Sequence, residues 1–170
     1  MSKDDATEAK AVRMADFMCF AIYSTNLAYS RVYKPILDQL GLTYPQYLTI
    51  IALWEENEQT VKSLSEKLFL EPSTMTPMLK RLEAMGYVRR ARDTRDERNV
   101  IISLTDEGRA LREKGLGFGK LTVEASGLTP EEFPVLQKAV VNLRDKLIRA
   151  GGSRWSEASG ALQKRSNPPR

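Results

Sequence analysis

The chain has no histidine and a single cysteine, Cys19. The first absence excludes Ser-His-Asp and Cys-His catalysis, imidazole-ligated zinc and any imidazole pH switch. The second excludes an intrachain disulfide and a Cys-x-x-Cys metal knuckle. Thiol chemistry at Cys19 must therefore end on another molecule, on the backbone or on a second copy of the chain. No metal and no cofactor is expected. No apolar run approaches the ~20 residues of a membrane span. The opening MSKDDATEAK carries acids and no apolar core, unlike a secretory signal. The expectation is a cytoplasmic protein with no membrane partner. Charge of one sign is also scarce. Lys and Arg total 26 against 22 Asp and Glu, a net +4. Residues 151–170 hold four bases and one acid, so the first 150 residues are close to neutral. What stands out is local: Lys80, Arg81, Arg89, Arg90 and Arg92 face Glu83 as the only acid between positions 80 and 92. A basic patch on a near-neutral body is a footprint for nucleic acid.

The 170 residues are 42% hydrophobic and 28% charged, enough for one domain with helical extensions. Residues 1–10 read as a flexible N-terminus. Apolar residues Val12, Phe17, Cys19, Phe20, Tyr23 and Leu27 predict a long helix over 11–32, interrupted or kinked by Pro35, then a short segment Ile36–Leu40 stopped by Gly41. Thr43 and Gln46 form a capping box for a helix bearing Tyr47, Leu48, Ile51 and Trp54 and ending near Asn57. Thr60 caps Val61–Phe69 with Leu64 and Leu68 inward. Glu71-Pro72-Ser73 opens a helix to Met85, with Pro77 inside it and Gly86 at its end. Met75, Met78 and Met85 read as core, as does Trp54.

The period then changes. Residues 87–92 and 99–104 predict two strands, with Val100, Ile102 and Leu104 alternating and the charged stretch 93–98 as an exposed hairpin tip. Thr105 caps a helix from Asp106, which Gly115, Gly117 and Gly119 weaken enough to predict a bend or hinge. Thr129-Pro130-Glu131-Glu132 starts a last helix, predicted to end at Ala150 before Gly151-Gly152. Residues 153–170 complete what reads as a flexible basic tail over 151–170. The expected fold class is mainly α with a small β-hairpin wing: a winged helix-turn-helix over 43–105, with helices at 11–42 and 106–150 forming a dimerisation region. The flanking amphipathic helices have no partner within so small a domain, and a two-fold homodimer is the commonest way to cover them.

The segment Asp93-x-Arg95-Asp96-Glu97-Arg98-x5-Leu104-Thr105-x2-Gly108 resembles the wing signature of MarR-family transcriptional regulators. Leu79-Lys80-Arg81-Leu82-Glu83-x2-Gly86-Tyr87-Val88 and Thr60-Val61-Lys62-x-Leu64-x3-Leu68 fit the same pattern, and the resemblance covers roughly residues 10–150. Within the family, Cys19, Tyr33 and Tyr44, the last inside Leu42-Thr43-Tyr44-Pro45-Gln46-Tyr47, are similar to OhrR-type organic hydroperoxide sensors, as is Thr76-Pro77-Met78-Leu79-Lys80-Arg81. Glu71-Pro72-Ser73 departs from that subgroup's Asp-Ser-Gly-like entry. The absence of a second cysteine makes this the one-cysteine type.

The resemblance implies a DNA-binding repressor, not an enzyme, in which Cys19 is the redox centre. Tyr33 and Tyr44 of the partner subunit donate phenol hydrogen bonds to its sulfur. A thiolate is the nucleophile toward peroxide, an unperturbed thiol with pKa ~8.5 is mostly protonated at neutral pH, and two phenol donors favour the anion. Phe17, Phe20 and Tyr23 would favour an organic peroxide. Oxidation to a sulfenic acid and condensation with a small thiol to a mixed disulfide would remove those bonds and shift the subunits. Ser73, Thr74, Thr76, Lys80 and Arg81 on the recognition helix, Arg89 and Arg92 on the wing strand, and Arg95 and Arg98 at its tip are the expected contacts to a pseudo-palindromic duplex operator. Arg95 is assigned to the minor groove, and Arg98 is open to pairing with Asp93 or Asp96 instead. Two alternatives stay open: release by an aromatic small molecule with Cys19 incidental, and a thiol peroxidase, which lacks a resolving thiol.

Overall fold

The computed structural model describes residues 13–165 except 95, 97 and 116, and the side chains of 113–118 and 152–165 lie outside the description. The expected flexible segment 1–10 and the tip residue Arg95 therefore fall outside the described residues. The chain divides into two compact units, Met1–Thr122 and Val123–Arg170.

In the first unit a single 3-10 turn, Met14–Asp16, leads through an extended Phe17 into α1, Met18–Leu40. The helix starts later than the apolar spacing predicts, and without a side-chain cap at Phe17. It also continues through Pro35 where a break is predicted. Pro35 removes one backbone bond, but the turn beyond it buries Leu37 and half-buries Ile36 and Leu40 against the core, which holds the chain helical. Gly41 then closes the helix in the left-handed region, at φ 66°, and its N–H donates to the Asp38 and Leu37 carbonyls.

Next is α2, Tyr44–Glu55, whose capping box forms as its sequence predicts: the Thr43 N–H donates to Gln46 Oε1 at 2.8 Å. A two-residue strand, β1 (Gln59–Thr60), leads into α3, Val61–Leu68, capped by Thr60 Oγ1 accepting from the Ser63 N–H at 3.0 Å. Beyond a left-handed Phe69 comes α4, Pro72–Ala84. Then β2 (Val88–Arg92) and β3 (Val100–Leu104) pair antiparallel with Val88 opposite Leu104 and Arg92 opposite Val100. β1 adds to the free edge of β3, giving the sheet order β1-β3-β2. The sequence shows only the hairpin, because two residues are too few to display a period of two.

Ile50, Leu53, Leu64, Met75, Leu79, Leu82, Val88, Ile102 and Leu104 fill the core between α2, α3, α4 and the sheet. Met75 and Met78 lie in it as expected. Met85 does not: it follows the last turn of α4, is 38% exposed, and caps the helix with its backbone instead.

α5, Asp106–Gly115, and α6, Gly117–Ser126, are separate helices, so the glycine cluster does divide the segment. In the second unit, the Thr129–Glu132 capping box forms in both directions, with the Thr129 N–H donating to Glu132 Oε2 at 2.9 Å and the Glu132 N–H to Thr129 Oγ1 at 3.2 Å. The helix it opens, α7, is Glu132–Arg165. It runs past Gly151-Gly152, correcting the predicted stop at Ala150. Each glycine weakens a helix by about 1 kcal/mol, a cost the longer helix carries.

Candidate nucleic-acid interface and redox cluster

The recognition helix is set by its buried face. Met75, Met78, Leu79 and Leu82 point into the core, which turns Ser73, Thr74, Lys80 and Arg81 outward as exposed residues on the opposite face. Thr76 is half-buried, and its hydroxyl donates to the Pro72 carbonyl at 3.0 Å. Pro72 stands at the start of the helix, where its missing N–H costs nothing.

The wing is tied to this helix at several points. Arg90 on β2 donates its backbone N–H to Glu83 Oε1 at 3.2 Å and holds Glu83 Oε2 at 3.6 Å from its guanidinium. Glu83 thus consumes Arg90 and leaves Arg89 and Arg92 exposed. At the tip, the exposed Arg98 pairs with Asp96: Nε donates to Oδ1 at 2.9 Å and the second amine to Oδ2 at 3.1 Å. These bonds hold the Asp96 carboxyl below its usual range and raise Arg98. Asn99 Nδ2 also donates to Asp96, at 3.3 Å.

At the base of the wing, Thr105, Gly108, Asn57 and Trp54 form a junction. The Thr105 hydroxyl donates to the Gly86 carbonyl at 2.6 Å and accepts from the Gly108 N–H at 3.0 Å. Asn57 Oδ1 accepts from the Leu104 N–H at 2.9 Å, and Trp54 Nε1 donates to the Gly108 carbonyl at 3.0 Å. The Leu-Thr-x2-Gly spacing thus joins strand, recognition-helix exit and α5. Sequence reasoning found Thr105 as a cap but missed Asn57 and the polar half of Trp54, since their partners lie 47 and 54 residues away.

A second group of residues lies where α1 meets α2. The Tyr33 and Tyr44 rings stack with centroids 5.0 Å apart and planes 11° apart, and Tyr29 stacks on Tyr33 at 6.2 Å. The Tyr33 hydroxyl is hydrogen-bonded to Thr122 Oγ1 at 2.7 Å. Burial raises the Tyr44 phenol above its ordinary value, with the neighbouring Tyr33 adding to it. Burial likewise pushes Tyr47 up to about 12, reinforced by Tyr33 and Tyr44. Tyr47 meets Trp54 edge-on at 6.1 Å, continuing the aromatic line into the core. Sequence reasoning identified Tyr33 and Tyr44 and missed Tyr29 and Thr122; no local signal marks Thr122, 89 residues from its partner.

Cys19 is exposed, one residue into α1. Fourteen residues of one α-helix separate it from Tyr33, about 21 Å at 1.5 Å per residue. The structure brings Tyr33 and Tyr44 together within a chain and does not bring Cys19 to them. Around the thiol, Phe17, Met18, Ile22, Tyr23 and Leu27 form an apolar surface, 41–67% exposed among the described residues.

Three packed helices, a recognition helix with one polar face and a basic antiparallel wing define a winged helix-turn-helix regulator. The family model described as transcriptional regulator SarA/Rot matches residues 31–114. The chain is 44% identical over 144 residues to the HTH-type transcriptional regulator TtmR of Methylorubrum extorquens, covering 85% of this chain and 74% of the relative. It is 39% identical over 136 residues to the organic hydroperoxide resistance transcriptional regulator of Bacillus subtilis, covering 80% and 92%. Among solved structures, reduced AbfR bound to DNA superposes with a TM-score of 0.70 at 37% identity, covering 81% of this chain and 94% of that one. AbfR, from Staphylococcus epidermidis, has also been solved overoxidized on DNA and in a disulfide form. The chain belongs to the MarR-like family of winged-helix transcriptional regulators. Among the described residues, no helix is long and apolar enough to cross a membrane.

Proposed function

We propose that the protein is a homodimeric repressor that binds a pseudo-palindromic duplex and releases it when an organic hydroperoxide oxidises Cys19. One observation carries the reading: α1 holds an exposed thiol near its start and, about 21 Å further along, Tyr33 stacked on Tyr44 of α2, so thiol and phenols can meet only between chains. The similarity to the Bacillus hydroperoxide-resistance regulator and to AbfR supports the same chemistry.

In the dimer, Tyr33 and Tyr44 of one subunit face Cys19 of the other. Their O–H groups donate to the sulfur and favour its thiolate. The thiolate attacks the distal peroxide oxygen. The O–O bond breaks, an alcohol leaves, and the sulfur becomes a sulfenic acid. A small thiol then displaces water to give the mixed disulfide. That sulfur no longer accepts both phenol bonds and needs more room, and the two subunits shift. Each presents one recognition helix to one half-site, with Ser73, Thr74, Thr76, Lys80 and Arg81 toward the major groove, Arg89 and Arg92 toward phosphates, and Arg95 toward the minor groove. The half-sites lie about one helical turn apart, so displacing one reading head costs both. Arg98, paired with Asp96, shapes the tip instead of contacting bases.

The test uses a duplex selected from a random pool by the reduced protein. Binding is measured before and after addition of cumene hydroperoxide with a small thiol present. The wild type is expected to release DNA and Cys19→Ser to stay bound. If Cys19→Ser releases DNA equally well, the thiol is not the sensor.

A further inference from the structure

We propose that Thr122 is a positioning residue for the redox cluster, fixing the Tyr33 phenol where it meets Cys19 of the partner subunit. The inference rests on the sensor reading above and adds to it a residue that neither the signature spacing nor the comparisons assign.

Stacking on Tyr29 and Tyr44 sets the plane of the Tyr33 ring but not the position of its oxygen within that plane. The Thr122 hydroxyl, 2.7 Å away, removes that freedom. Thr122 suits the task physically. It sits in the middle of α6, a half-buried position, and a β-branched side chain on a helix has few rotamers to sample. The phenol oxygen is thereby held by a rigid partner on a different element from the helix that carries it. A hydrogen bond to a thiolate is strong only at short distance and good angle. A phenol held in place therefore favours the anion more than one that must be ordered when the sulfur arrives. Within its own chain Tyr33 lies among the phenols of Tyr29, Tyr44 and Tyr47.

Thr122→Val keeps the shape and deletes the hydroxyl; Thr122→Ser keeps the hydroxyl. The rate at which cumene hydroperoxide oxidises Cys19 is followed by loss of free thiol from the purified dimer across pH 5–9. Thr122→Val should slow the reaction at pH 7 by about two- to tenfold, the worth of one ordinary hydrogen bond. It should also move the midpoint of the pH profile upward, and Thr122→Ser should restore both. DNA binding by the reduced Thr122→Val protein should match the wild type. Oxidation of Thr122→Val at the wild-type rate or faster, a failure of Thr122→Ser to restore it, or loss of reduced-state DNA binding would each overturn the assignment. Tyr33→Phe in the same assay separates the two levels. If it too oxidises normally, the sensor reading itself fails; if it is slow while Thr122→Val is not, only the role of Thr122 falls.

Discussion

A Cβ placed on Gly108 would overlap the Tyr87 carbonyl oxygen and come within 3.1 Å of Leu104 Cδ2. That carbonyl is already engaged, accepting from the Thr105 N–H at 3.1 Å, so it cannot move without opening the junction between wing and α5. Gly108→Ala is expected to destabilise the protein by about 2–4 kcal/mol, read as a lower urea midpoint with an unchanged slope. A midpoint equal to the wild type would mean that the junction is looser than it looks. The phenols make a second prediction at this scale. Tyr47 ionises at about 12 in the folded chain against 10.0 without its surroundings. Below pH 10 both states hold the proton and the folded state has its full advantage. The advantage is lost as pH rises from about 10 through about 12, because the unfolded chain releases the proton first. Stability measured by urea titration should therefore fall across that window in the wild type, and fall less steeply in Tyr47→Phe.

At the scale of elements, the parts best read from sequence are those governed by neighbours a few residues away. The Thr43–Gln46 and Thr129–Glu132 boxes, the Thr60 cap and the Arg98–Asp96 pair are all local, and all form. The departures have non-local causes. α1 survives Pro35 because Leu37 is buried by α2 and its neighbours, and β1 exists only because β3 offers an edge. Tyr33 and Tyr44 carried a resemblance in their spacing, but their stacking and the Thr122 bond come from chain segments far apart. The wing shows what this means for function. With Arg98 tied to Asp96 and Arg90 to Glu83, the proposed DNA contacts on this element are Arg89, Arg92 and, by its place in the signature, Arg95. Arg95→Ala should weaken binding to the selected duplex and lower the slope of log affinity against log salt by about one. Arg89→Ala should weaken selected and unrelated duplexes alike. An Arg95→Ala protein with wild-type affinity at physiological salt would remove the wing from the interface.

At the scale of the whole molecule, the proposed sensor requires two chains to share it, and this can be tested without a structure of the dimer. Cys19 and Tyr33 lie on one unbroken helix, so no rearrangement short of breaking α1 lets them touch in cis. Consider a mixed dimer assembled from a Cys19→Ser chain and a Tyr33→Phe chain carrying different tags. Its one remaining thiol belongs to the Tyr33→Phe chain, and the intact Tyr33 belongs to the other. If the phenol is supplied across the interface, that thiol faces an intact Tyr33 and should be oxidised by cumene hydroperoxide at the wild-type rate. In the Tyr33→Phe homodimer the same cysteine, in the same sequence, should react slowly. A thiol that stays slow in the mixed dimer would place its donor within its own chain, which α1 forbids for Tyr33, and the phenol pair would then have some other purpose. Complementation would instead show that each redox site is built from both subunits, so that oxidation at either one acts directly on the contact that sets the distance between the two recognition helices.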